Sequence, residues 1–317
     1  MQSLFIKQLL LFLSGLLVIV ILITLFIYRE DIGRNGFKSM PTNNFSNSIS
    51  FNSQIQHLHS LHRTKETEFL VLGSSMALNN IAAELIEDSI QQKTYNFSSW
   101  GLKSQKLLEI VQTIEFEKCR TVLIPFSNQD LYDSAHFDIK DLELVNNYLN
   151  SKNTAWYKAA AFLYNFNFSD FRKNWSLRSK DLYRLNTYSS LSFDSCGSVL
   201  INTTGFVFSK KRNERYFDTT GFTAFMQNIT AIKSLLNKKN ISFKLAYMPW
   251  RDDLITPERE SANNAIASIL HRTFKDEFID LHNLKLEKAL FCDGTHLFKD
   301  GAKIITRNII DSLKSRH

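Results

Sequence analysis

Proline and glycine are scarce, at 4 and 10 residues in a chain of 317. So few breakers leave little room for long flexible linkers or for a fibrous repeat. Cysteine is scarcer still: Cys119, Cys196 and Cys292 lie far apart in the sequence. That spacing excludes a CxxC zinc site and a disulfide framework, while allowing one bridge with a thiol left over. No GxGxxG, Walker or HExxH sequence occurs, so neither a bound metal nor a nucleotide or other cofactor is expected. The formal net charge is +7, but the Lys and Arg residues form no dense basic block. A nucleic-acid footprint would cluster its cations, so no nucleic-acid partner is expected. The surplus suits weak attraction to acidic surfaces or glycans. With 44% apolar and 22% charged residues, the composition is that of a globular protein.

One long apolar run is present. Leu9 to Tyr28 (LLLFLSGLLVIVILITLFIY) carries no charge. As a helix these residues would be about 30 Å long, the thickness of a bilayer's hydrocarbon core. A cleaved signal peptide would have a shorter apolar region ending in small residues. Here Arg29 and Glu30 follow with no A-x-A site. The reading is an uncleaved, single-pass anchor over residues 1–29. Lys7 and the terminal amine precede the run, while Arg29, Glu30, Asp31 and Arg34 nearly cancel after it. That small bias places the remainder on the extracytoplasmic side.

Residues 30–64 read as a polar stem. They end in QHLHSLHR, whose His57, His59 and His62 cannot share one helical face. A solvated stem helix is expected there rather than a metal site. Beyond it, short apolar runs alternate with helical patterns. Strands are expected at 68–73, 95–98, 121–126, 242–248 and 277–281. Helices are expected at 77–91, 104–116, 220–237, 258–273 and 299–315. This alternation implies a three-layer α/β domain over residues 65–317, with a parallel sheet of about five strands. The rhythm breaks at about 131–216, an aromatic-rich insertion expected to be mainly helical and to form a lid or substrate wall.

Two motifs fall where ligands bind in such sheets, outside the carboxyl ends of the strands. Gly73-Ser74-Ser75-Met76 closes the first strand, where a serine either caps the next helix or meets developing negative charge at its N-terminus. Asp293-Gly294-Thr295-His296-Leu297 precedes the last helix. An acid three residues before a loop histidine can orient its imidazole, which then takes and returns a proton. Both motifs can meet at one sheet edge.

Together they resemble the SGNH/GDSL esterase superfamily, whose fold is flavodoxin-like. Its first block ends in Gly-x-Ser and its last is Asp-x-x-His. The resemblance covers about residues 66–130 and 240–317. It implies a Ser-His-Asp triad, with Ser75 as nucleophile, His296 as general base and Asp293 as orienting acid. It also implies oxyanion donors at Ser75, at Gly101 in YNFSSWG and at Asn128 in PFSNQD. The sequence departs from the family at Ser74, where an aspartate is usual, and at Phe126, where a glycine is usual. The GSS form, YNFSSWG and the single anchor look most like membrane-anchored bacterial proteins of cell-surface glycan pathways. Those include exopolysaccharide acyl-transfer proteins and the D-alanyl transfer protein of teichoic-acid operons. The resemblance therefore implies an esterase or O-acyltransferase whose partners are the lipid bilayer, a polysaccharide, an acyl donor and a multi-spanning donor protein. A catalytically inactive glycan-binding or assembly protein of the same fold is the alternative.

Trp250 and Arg251 follow the fourth strand, where a ring could stack on a sugar and a guanidinium could clamp an anion, or Arg251 could form a surface salt bridge. Cys292 is expected to be a small buried residue rather than a nucleophile, and Lys103 a solvated helix residue. Asn-x-Ser/Thr sequons at Asn44, Asn96, Asn167, Asn174, Asn202, Asn228 and Asn240 are what a chain rich in Asn and Ser generates by chance.

Overall fold

A computed structural model describes residues 2–29, 45–131, 137–150, 193–201 and 221–315. In chain order the helices and strands of the first half are α1 (Gln2–Arg29), α2 (Ile49–Ser60), β1 (Phe69–Val71), α3 (Ser75–Asn80), α4 (Ala83–Ile90) and β2 (Thr94–Asn96). There follow α5 (Ser104–Thr113), β3 (Thr121–Phe126), α6 (Leu142–Asn150) and α7 (Phe222–Lys238). The chain closes with β4 (Ser242–Tyr247), α8 (Pro257–Phe274), β5 (Phe278–Asp280) and α9 (Lys299–Lys314).

The five strands form one parallel sheet in the order β2-β1-β3-β4-β5. That is the order of flavodoxin-like sheets, in which the switch point lies beside β1. Successive strand residues point to opposite faces, so a strand buried on both sides must be apolar throughout. Leu70, Val122, Ile124, Phe243 and Leu245 pack on one face against α2, α5, α6, α7 and α8. Phe69, Val71, Leu123, Ala246 and Ile279 pack on the other against α3, α4 and α9.

Two expectations are corrected by the packing. The solvated stem helix is α2, and it is not solvated: Phe51, Ile55 and Leu58 are fully buried, and His57 and His59 nearly so. Several of its polar residues are buried with partners. Gln54 Nε2 donates to the carbonyls of Asn96 (2.8 Å) and Gly197 (2.7 Å), and His57 Nδ1 pairs with Tyr95 Oη (2.8 Å). His57 also stacks on Phe193. The helix expected over 77–91 is two helices, broken at Ile81 and Ala82. The free N–H groups at the start of α4 are met from afar: Ala82 N donates to Thr306 Oγ1 and Ala83 N to Ser198 Oγ. Finally, the three cysteines are all free thiols.

Of the insertion, the described parts are 137–150, which contains α6, and 193–201, which packs beside α3 and β2. The rest of it lies outside the described residues. In α1 the backbone helix runs Gln2–Arg29, and side chains such as Leu11 and Phe12 are about 70% exposed. Among the residues described with their side chains, no helix is long and apolar enough to cross a membrane.

Two buried titratable groups give the body opposite pH dependences. Burial, with Glu84 nearby, pushes the Asp194 carboxyl up from 3.8 to about 7. Burial, with Arg63 nearby, holds His57 down at about 4 from 6.5. Asp194 therefore contributes stability that is lost as pH rises from about 4 to about 7. His57 contributes stability that is lost as pH falls from 6.5 to about 4. The Asp194→Asn variant keeps an oxygen for the N–H groups of Cys196 and Ser198, which both donate to Asp194 Oδ1. Its melting temperature should gain on the parent's as pH rises through this window. His57→Gln should show the reverse trend, its deficit shrinking as pH falls. Thermal melts at several pH values check this, and parallel curves for all three proteins would contradict it.

Candidate active site

The carboxyl end of β1 is held on both sides. Leu72 N donates to Leu123 O of β3, Phe97 N to Val71 O and Ser99 N to Gly73 O. Gly73 must be glycine here. A Cβ at this position would lie 2.9 Å from Ala77 Cβ and 3.1 Å from the Pro125 carbonyl oxygen, because β3 passes so close. Ser74 then caps α3, its Oγ accepting from Met76 N at 3.1 Å. Ser75 is the first residue of that helix and is partly exposed.

At the other motif, Asp293 folds its own loop into a tight turn. Its Oδ1 accepts from the N–H groups of Thr295 (2.8 Å) and His296 (2.7 Å), and Oδ2 meets His296 Nδ1 at 2.8 Å. A carboxylate facing Nδ1 places the imidazole proton there, leaving Nε2 as the basic nitrogen of the neutral ring. Both side chains are over 90% buried, so the pair is little screened by solvent. The acid and histidine expected to act together are thus hydrogen-bonded.

Two residues missed in the sequence bear on this region. Asn80, at the far end of α3, is fully buried. Its Nδ2 donates to Thr295 O (2.8 Å) and its Oδ1 accepts from Leu297 N (2.9 Å), so it grips the backbone on both sides of His296. The helix it closes opens at Ser75, five residues earlier and about 7.5 Å along the axis. The second is Asp130, just after β3. Its Oδ2 accepts from Ser127 N at 2.8 Å. Burial raises its carboxyl above the ordinary value, offset in part by Lys103, the Ser74 side chain, the Ser127 N–H and His296. The Asn79-Asn80 pair at the end of an apolar stretch was the signal for the first residue. For the second it was an acid two positions after Asn128.

The remaining expected residues fall differently. Gly101 follows β2 in a left-handed conformation (φ +75°), two residues after the Ser99 that bonds Gly73. Asn128 is fully buried, and its amide is engaged by core partners. Tyr247 Oη donates to its Oδ1, and its Nδ2 donates to Asn263 Oδ1 at 2.7 Å. Trp250 is 2% exposed, so its ring presents no face on which a sugar could stack. Arg251 is likewise buried and pairs with the exposed Asp253, the salt-bridge alternative: Nε donates to Asp253 (2.6 Å), Nη1 reaches Asp293 O (3.4 Å), and its backbone N–H donates to Gly294 O. It buttresses the histidine loop. Lys103 is not a solvated helix residue, since its Nζ donates to Gln129 O at 2.7 Å. Cys292 is fully buried, and burial next to Asp293 pushes its thiol up to about 12, so it stays protonated.

No family model matches the sequence, and no curated protein matches it. Among solved structures, the chain is similar to the lipase Lip_vut3 from a goat rumen metagenome. The two share 11% identity and a TM-score of 0.35, over 78% of this chain and 96% of that one.

Proposed function

We propose that the protein is a membrane-anchored serine acyl-esterase or O-acyltransferase of the SGNH type, acting on an extracytoplasmic polysaccharide. The observation that carries this reading is the buried Asp293–His296 pair, in a loop pinned by Asn80 to the helix that Ser75 opens. Ser75 Oγ attacks the acyl carbonyl as its proton passes to His296 Nε2, and the carbonyl electron pair moves onto oxygen. Collapse expels the alcohol, which takes the proton from His296 and leaves an acyl-Ser75. Water or a sugar hydroxyl then repeats the step in reverse. Asp293 keeps the ring in the productive tautomer and stabilises the imidazolium. Gly101 N–H and Ser75 N–H are the proposed oxyanion donors. The anchor is supported by the uncharged run in α1 and its exposed leucines and phenylalanines. The extracytoplasmic side is supported by the charge bias around that run.

One feature favours the second reading, a non-catalytic glycan-binding protein. The Asn128 amide is held by Tyr247 and Asn263 within the core, so the third oxyanion donor of the family would have to be dispensed with. The deciding experiment is hydrolysis of a chromogenic acetyl ester by the full-length chain in detergent micelles. Turnover above the solvent rate supports the enzyme. Its absence at every pH, with the fold intact, supports the binding protein.

A further inference from the structure

The segments that lead into β3 and β4 line a cavity of about 460 Å³. It opens at the amino ends of those strands, whereas Ser75 and His296 lie past carboxyl ends. Its floor is the sheet, with Leu70 and Leu72 of β1 and Val122 of β3. Its walls are Ile110 and Ile114 at the end of α5 and Leu236 of α7, and all six side chains are buried. The polar groups in the wall are already engaged. Asn150 Nδ2 donates to Glu115 O (3.1 Å) and to Asn146 Oδ1 (2.8 Å), and Cys119 Sγ donates to Thr121 O (3.5 Å). Such an interior gives water too few partners to hold it, so it stays dry and takes up hydrocarbon.

The charged lining residues are Lys65, Glu115, Glu117 and Lys239, and all four are exposed, so they mark the mouth. Two cations and two anions stand there together. Among the described residues none of the four is in an ion pair, and Lys239 Nζ donates to the Val111 carbonyl at 3.4 Å. A rim with both signs is complementary to a head group that also carries both.

We propose that this cavity binds the tail of a single-chain zwitterionic lipid of the lysophosphatidylethanolamine class. Lys65 and Lys239 take its phosphate, and Glu115 and Glu117 its ammonium. One tail fits: at about 30 Å³ for a water-sized group, the space holds about fifteen methylenes, and a second tail finds no room. A free fatty acid is the poorer match, because its carboxylate would face Glu115 and Glu117 with no ammonium to offset them. The site uses neither Ser75 nor His296, so it stands independently of the reaction proposed above.

The test uses full-length protein in phosphatidylcholine nanodiscs and a lysophosphatidylethanolamine carrying a diazirine near the end of its chain. Photolysis should mark peptides from α5 and from the turn between α7 and β4, read by mass spectrometry. Unlabelled lysophosphatidylethanolamine should suppress the mark, and palmitate should do so more weakly. Val111→Phe puts a ring into the cavity, so it should abolish the mark with a melting temperature at or above the parent's. Lys65→Glu combined with Lys239→Glu changes the exposed rim alone and should weaken labelling by about fivefold. That double variant decides the matter if Val111→Phe does not fold. Ser75→Ala should be marked as the parent is, whatever its activity. Marks confined to α1, marks that survive Val111→Phe in a folded chain, a double variant labelled like the parent, or equal competition by palmitate would overturn the proposal.

Discussion

Ser75→Ala should abolish hydrolysis of a chromogenic acetyl ester by the full-length chain, with kcat falling by a factor on the order of 10⁴ to 10⁶. The size follows from the chemistry, because covalent catalysis has no substitute for its nucleophile. Orientation by Asp293 and any oxyanion donors survive in the variant, and they alone leave only residual rate over solvent. The fold should be undisturbed. Ser75 is partly exposed, and the cap of α3 comes from its neighbour Ser74. Ser74→Ala is the informative contrast, since it removes the cap but leaves the nucleophile. Its loss should be far smaller, and melting temperatures of both variants should confirm that the chain is folded. Equal activity of Ser75→Ala and the parent would remove Ser75 from the mechanism.

The second large effect is expected at a residue that touches no substrate. Asn80→Leu leaves the Thr295 carbonyl and the Leu297 N–H without their partner in a fully buried position. Each orphaned group costs about 1–3 kcal/mol, so the variant should lose about 2–6 kcal/mol of stability. Activity should fall further than that loss alone explains. The two bonds flank His296, and a displacement of about 1 Å at a catalytic group can cost a hundredfold in rate. Asn80→Asp keeps the acceptor for Leu297 N and loses the donor to Thr295 O, so it should lie between parent and Asn80→Leu. Denaturant melts and kcat for the three proteins provide the test. A loss in Asn80→Leu confined to stability, with kcat unchanged in the folded fraction, would show that α3 does not position the histidine.

The sheet was legible because its central strands are buried on both faces, and such strands read as apolar runs like FLV and VLIPF. The convergence of Gly73-Ser74-Ser75 and Asp293-x-x-His296 on one edge followed from their places after the first strand and before the last helix. The Asp293–His296 bond needs only three residues of loop, so local sequence carried it. What escaped detection depends on distant partners. The break after Asn80 is invisible because Ile81 and Ala82 suit a helix, and the hydroxyls that compensate are Ser198 and Thr306. The α2 segment looked solvated because Ser50, Gln54 and His57 are polar. Their partners are Ser99, two backbone carbonyls and Tyr95, far along the chain. The same limit applies to Asp130 and Lys103, neighbours only because the turn after β3 lies beside the start of α5. Trp250 and Arg251 were placed at the correct edge, but sequence could not show that both point into the protein.

Phosphonylation of Ser75 is the most direct test of the account. A fluorophosphonate should label the full-length chain at a single residue, found by peptide mass spectrometry to be Ser75. Labelling should be lost in His296→Ala and strongly slowed in Asp293→Asn. An adduct on another residue, or labelling of Ser75 at the parent's rate without His296, would contradict it.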